Sequence, residues 1–192
     1  MIVYVVDTET TGLNGALGGD LVVEIGIVQV DTVKKTVSPF YESLVGAKLT
    51  KTQAESWVFQ HTDLTPEEVE NGPDAHLVAD KVRHFLNGTP TTSFNTPFDF
   101  GLFLDHRPWN LDVRLLPDIM MAATEDPSIP RRRHNDGNCY ASLENSYRVL
   151  CPDDPAGLNG PEKHRAMSDA AVAGYVLLAL IGKGLYPGEV PE

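Results

Sequence analysis

Cysteine is nearly missing: the 192-residue chain has two, Cys139 and Cys151. They form neither a CxxC pair nor the dense spacing of a disulfide framework, which excludes a stapled extracellular scaffold. A reducing cytoplasm is the expected setting, with both thiols in core or loop positions. Long apolar runs are also lacking. The stretch before Asp7, MIVYVV, is too short for a secretion signal or a span and has no basic flank. The later run AAVAGYVLLALIG at 170–182 is likewise short for a bilayer and reads as a buried helix. No membrane partner is expected. Basic residues are scarce, with 15 Lys and Arg against 27 Asp and Glu, a formal charge of −12 and a pI near 4.8. That balance excludes coating long duplexes by charge alone. It leaves open an enzyme that grips one strand end, because acidic groups holding divalent cations present a different face to phosphate.

What is present is ordinary for a globular protein: 42% hydrophobic and 22% charged residues, without repeats or low-complexity tracts. The length suits one domain, residues 1–185, followed by a loose tail at 186–192. Val- and Ile-rich segments predict strands at Ile2–Val6, Leu21–Val30 and Thr36–Leu44. The turn-rich connections GLNGALGGD and DTVKKT make them antiparallel neighbours. Helical spacing predicts helices over Thr52–Gln60, after Thr65 with Pro66 in its first turn, and over Asp74–Leu86. TPTTSFN and NLDVRLL read as short strands, and PFDFGLFL and PDIMMAA as helix starts. Ser128–Asn138 reads as a loop, and Ser142–Leu150 and Asp169–Gly182 as helices. Strands in a meander, then alternating with helices, predict an α/β domain with a mixed sheet.

Three short stretches carry the chemistry. In VVDTET, Asp7 and Glu9 sit two apart where a buried strand ends, so their side chains share a face. Paired carboxylates there repel unless they share cations, and such hard oxygen ligands suit Mg²⁺ or Mn²⁺. A hydrated turn explains the pair equally well on its own. In FNTPFDF, Asp99 stands between two phenylalanines, where a lone carboxylate is costly. Helix capping is the cheaper explanation when it is taken alone. In HRAMSDAAVA, Asp169 opens an apolar helix and His164 precedes it by five positions; a cap and a solvated loop histidine account for each separately. The ordered set is what these separate explanations do not cover.

That set resembles the DEDDh branch of the DEDD 3′–5′ exonucleases, the DnaQ-like group of the ribonuclease H-like superfamily, and is similar to DNA polymerase proofreading subunits. VVDTETTGL looks like the first motif, VVEIGIVQV the second strand, FNTPFDFGLFL the second motif, SLENSYRVLC the helix before the third, and HRAMSDAAVA the third. HTDLTPEEVENGP looks like the segment between the meander and the next helix. The compact spacers are most similar to exonuclease X-like members. Pro97 before Phe98 and the acidic loop PDDPAGLNGPE depart from many relatives and bear on substrate preference.

The resemblance implies a three-layer ribonuclease H-like fold with a five-stranded mixed sheet flanked by helices. It implies two Mg²⁺ or Mn²⁺ ions on Asp7, Glu9, Asp99 and Asp169, with His164 as general base. The implied reaction is hydrolysis from a free 3′ end, releasing nucleoside 5′-monophosphates by two-metal chemistry. The implied partner is single-stranded nucleic acid or a 3′ end, DNA rather than RNA, in a replication or repair setting. Thr10 and Gly12 would meet the terminal nucleotide through backbone groups, and Leu13 would pack beside its base or fold onto the core. Asn95 would shape the site, and Phe98 would orient Asp99. Arg131–Arg133, the one dense basic run, either contact phosphates or form a solvated loop. The competing functions are a non-catalytic nucleic-acid-binding or polymerase-associated subunit and, more distantly, a phosphohydrolase of small molecules.

Overall fold

The computed structural model describes residues 1–133, 137–157 and 164–188. Five strands form one sheet in the order β3-β2-β1-β4-β5: β1 (Ile2–Thr10), β2 (Val22–Asp31), β3 (Thr36–Leu44), β4 (Pro90–Ser93) and β5 (Arg114–Leu115). The first three are antiparallel, whereas β4 runs parallel to β1 and β5 parallel to β4, so the sheet is mixed. The continuous apolar run of β2 suits its position inside the sheet, buried on both faces. Edge strand β3 is largely exposed and carries Pro39, which an edge tolerates.

Alternation along β1 sorts the layers. Val3 and Val5 join Val28 and Val30 of β2 under α5 (Ile119–Thr124), α6 (Leu143–Leu150) and α7 (Ala166–Gly182). Val6 faces the other way, with Ile25 and Ile27, under α4 (Ala75–Leu86) and the helix Pro97–Leu104. That helix is wound as a π-helix, a form rare in general and frequent at functional sites. The result is the expected three-layer α/β fold. Among the described residues, no helix is long and apolar enough to cross a membrane.

Several local expectations change. Strand β1 continues through Asp7 and Glu9 to Thr10, because each of these residues pairs with β2. The helix expected over Thr52–Gln60 is two, α1 (Lys51–Ala54) and α2 (Trp57–His61), the first closed by a Thr50–Gln53 capping box. Pro66 opens α3 (Pro66–Glu70), as its ring geometry favours. Helix α5 begins after Asp118, whose carboxylate caps Met121 N–H, rather than at Pro117. The segment expected as a loop carries β6 (Arg131–Arg133), paired antiparallel with β7 (Cys139–Ala141); residues 134–136 between them lie outside the described residues. Tyr186, at the head of the expected loose tail, is buried instead and donates its hydroxyl to the Pro117 carbonyl at 2.6 Å. Residues 189–192 lie outside the described residues. Neither cysteine is in a disulfide, and burial pushes the Cys151 thiol up to about 11.

Candidate active site

The site forms where β1 outruns its parallel neighbour. β4 pairs with β1 only through Val6, so Asp7 to Thr10 project past it while still bonded to β2. By alternation, Asp7 and Glu9 take the face of Val3 and Val5, which is the face covered by α7. Asp169 lies in the first turn of α7, 5% exposed. Each of these three residues offers a carboxylate oxygen, and those atoms all lie within 4.8 Å of one another. Three carboxylates that close repel one another when ionised, and a shared cation would offset that repulsion. An all-oxygen donor set of this kind fits a hard divalent ion. Neither Asp99 nor Asp169 is a helix cap: Thr96 and Arg165 hold those positions.

Asp99 stands outside this trio. Thr8 points to the face opposite Asp7 and Glu9, and its hydroxyl donates to Asp99 Oδ1 at 2.7 Å. The Asp99 carboxyl is 4% exposed. Burial pushes it up to about 6, against the opposing pull of the Thr8 hydroxyl. The π-helix that carries it starts from Asn95, whose carbonyl accepts from the N–H groups of Phe98 and Asp99. Phe98 packs edge-on against Phe103 of the same helix, with ring centroids 5.3 Å apart.

His164 sits two residues before α7 with φ at 47°, in the left-handed region that costs a non-glycine residue about 1–3 kcal/mol. Its ring meets the edge of Trp57, with centroids 4.9 Å apart, and Trp57 in turn stacks on His61 at 4.5 Å. Trp57 is 52% exposed. Sequence reasoning missed this aromatic cluster; an isolated Trp in a short helix carries no signal of its neighbours. It also missed Glu24, although a carboxylate inside the apolar run VVEIGIV is itself a signal that a partner is needed.

The turn after β1 is built as a small lip. Thr10 Oγ1 donates to the Gly12 carbonyl at 2.9 Å. A Cβ on Gly12 would fall 2.6 Å from the Asp20 carboxylate, so a larger residue there would require that side chain to move. Leu13 is 74% exposed and is not folded onto the core. Arg132 is paired with Glu144 at 3.0 Å, while Arg131 and Arg133 share the other face of β6.

The RNase_T exonuclease profile matches residues 4–177. No curated protein matches the sequence. Solved structures share the fold. E. coli Exonuclease I in complex with a dA16 oligonucleotide superposes with a TM-score of 0.61 at 16% identity, over 94% of this chain and 41% of that one. A full-length 3′-exonuclease gives 0.68 at 14% identity, over 96% and 62%. A 3′-exonuclease described in 3′-end-specific recognition of a histone mRNA stem-loop gives 0.66 at 13% identity, over 96% and 83%. The chain thus spans about two fifths of Exonuclease I. With its motifs, its fold and this match in agreement, the chain belongs to the RNase_T exonuclease family.

Proposed function

We propose that this chain is a divalent-cation-dependent 3′–5′ exonuclease, acting on the 3′ ends of nucleic acid and on DNA in preference to RNA. The observation that carries the reading is the meeting of Asp7, Glu9 and Asp169 at one strand end. Asp7, Glu9 and Asp169 would hold one Mg²⁺ or Mn²⁺, and Asp99, released from Thr8, would help to hold a second. Bound there, the ions supply charge stabilisation to the attacking and leaving oxygens of an in-line displacement. The chain's own residues do the rest. His164 accepts the proton of the attacking water, a role that imidazole commonly fills as a general base. The new P–O bond forms as the bond to the 3′ oxygen breaks. That oxygen takes up a proton, leaving a strand one nucleotide shorter and a nucleoside 5′-monophosphate.

Leu13 packs beside the terminal base, and its exposure supports that role. The backbone around Thr10 and Gly12 meets the terminal sugar or phosphate. Arg131 and Arg133 meet phosphates of the incoming strand, offsetting the protein's overall negative charge. Preference for DNA rests on the resemblance to proofreading and exonuclease X-like proteins, and contacts to the 2′-OH decide it. The test is digestion of 5′-labelled DNA and RNA oligomers with Mg²⁺ or Mn²⁺. Stepwise shortening from the 3′ end, faster on DNA and abolished in Asp7→Ala, is expected. No shortening with either metal would favour a non-catalytic binding subunit.

A further inference from the structure

Strand β2 carries a buried acid that the reaction above leaves unused. Glu24 pairs directly with Glu9, and Gly26 directly with Asp7. Directly opposed residues share a sheet face, so both look toward the start of α7. Glu24 is 1% exposed. A carboxylate that dry must have its charge met. It accepts from Arg165 Nε at 3.0 and 3.1 Å, from Arg165 Nη2 at 2.6 Å and from the Ala166 N–H at 2.9 Å. Arg165 holds the cap position of α7 without capping it, so Glu24 supplies that acceptor from another strand. The remaining Arg165 nitrogen, Nη1, reaches Asp63 at 2.8 Å. Gly26 completes the seat: a Cβ there would lie 2.3 Å from Ala166 C and Met167 N, so the helix start rests directly on the strand.

The seated residues lie between the two chemical groups that α7 contributes. His164 immediately precedes Arg165, and Asp169 follows in the first turn. The left-handed backbone at His164 persists only if its surroundings hold it, and its neighbour Arg165 is gripped from two sides. We propose that Glu24, Gly26 and Arg165 form a positioning seat that sets His164 and Asp169 against Asp7 and Glu9. This deepens the exonuclease reading and rests on it. None of the three touches the reacting atoms. They act through the groups on either side of the helix start, much as partners behind a ligand govern how well that ligand works.

The test uses the full chain with Arg165→Lys, which keeps the charge and loses the planar fork, and Asp63→Asn at the exposed end of the grip. Arg165→Lys is expected to lower kcat about 10–100-fold while KM stays within a few-fold. Losing guanidinium bonds to buried Glu24 should also lower metal-free Tm, so kcat is measured well below the variant's own Tm. The Mn²⁺-induced rise in Tm should shrink, because Asp169 no longer converges with its partners. Asp63→Asn should show the same pattern at a few-fold loss in kcat. Wild-type trimming of oligomers checks the exonuclease reading separately. If the wild type is inactive, the metal-induced Tm rise still decides the seat. Unchanged kcat and metal response in Arg165→Lys would overturn the proposal, as would losses that only follow the unfolded fraction. Should Arg165→Lys fail to fold, an Asp63→Asn variant with wild-type kcat and metal response would overturn it.

Discussion

The two faces of β1 treat their carboxylates in opposite ways. On the α7 face, Asp7 and Glu9 are half-buried and meet Asp169 at the end of the central strand. On the α4 face, Asp99 is enclosed and accepts from the Thr8 hydroxyl. The first group gathers three carboxylates within 4.8 Å of one another, a donor set that a hard cation would suit. The second meets desolvation, and its carboxyl rises to about 6. A strand of period two can therefore serve two chemical environments within three residues, provided that it outruns its neighbour and exposes both sides.

The largest expected effect lies on the α7 face. Asp7→Ala should cut exonuclease activity by about 10³-fold or more, the equivalent of several kcal/mol of lost charge stabilisation, without unfolding the protein. Retention of wild-type rates would remove Asp7 from the chemistry. Asp99→Asn should cost less activity, about 10²-fold, and should separate function from stability. The Asn side chain still accepts from Thr8 but carries no buried charge.

The sign of the pH effect follows from the raised carboxyl. Between about pH 4 and 6 the folded chain binds this proton more tightly than the unfolded chain, so the contribution of Asp99 to stability falls as pH rises. Metal-free Asp99→Asn should therefore be more stable than wild type by about 1–3 kcal/mol at pH 7. The difference should vanish below pH 4. Chemical denaturation of both proteins across that range checks it, and a gap that grows toward low pH would contradict it.

Smaller effects sharpen the contrast between gripping and cutting. Leu13→Ser should raise KM several-fold with little change in Tm, since the side chain is exposed and supports no core. Neutralising Arg131 and Arg133 together should reduce the salt slope of single-strand binding by about 1.4, from 0.7 per phosphate contact. Neutralising Arg132, held by Glu144, should leave the slope near its original value. Equal slopes in all three proteins would make this hairpin a solvated one.

The sequence made the layers legible because apolar alternation and turn residues are local properties. The meander of β1 to β3, the helix over Asp74–Leu86 and the start of α3 at Pro66 all follow from near neighbours. The acidic set was legible as an ordered motif. What was hidden is set by distance along the chain. Nothing near Glu24 announces Arg165, and nothing near Asp99 announces that Thr8 faces it. The end of β1 was misjudged for the same reason, since polar residues continued a strand that only pairing with β2 maintains. The three arginines read as a loop until their pairing with Cys139–Ala141 was visible.

The central claim is that Asp7, Glu9 and Asp169 together bind a hard cation, and thermal melting under Mg²⁺ or Mn²⁺ titration tests it most directly. An ion that binds only the folded state raises Tm with concentration. The account expects that rise in wild type and its loss in Asp7→Asn, with the metal-free variant at least as stable because one repelling charge is gone. An equal rise in both proteins, or none in wild type, would contradict it.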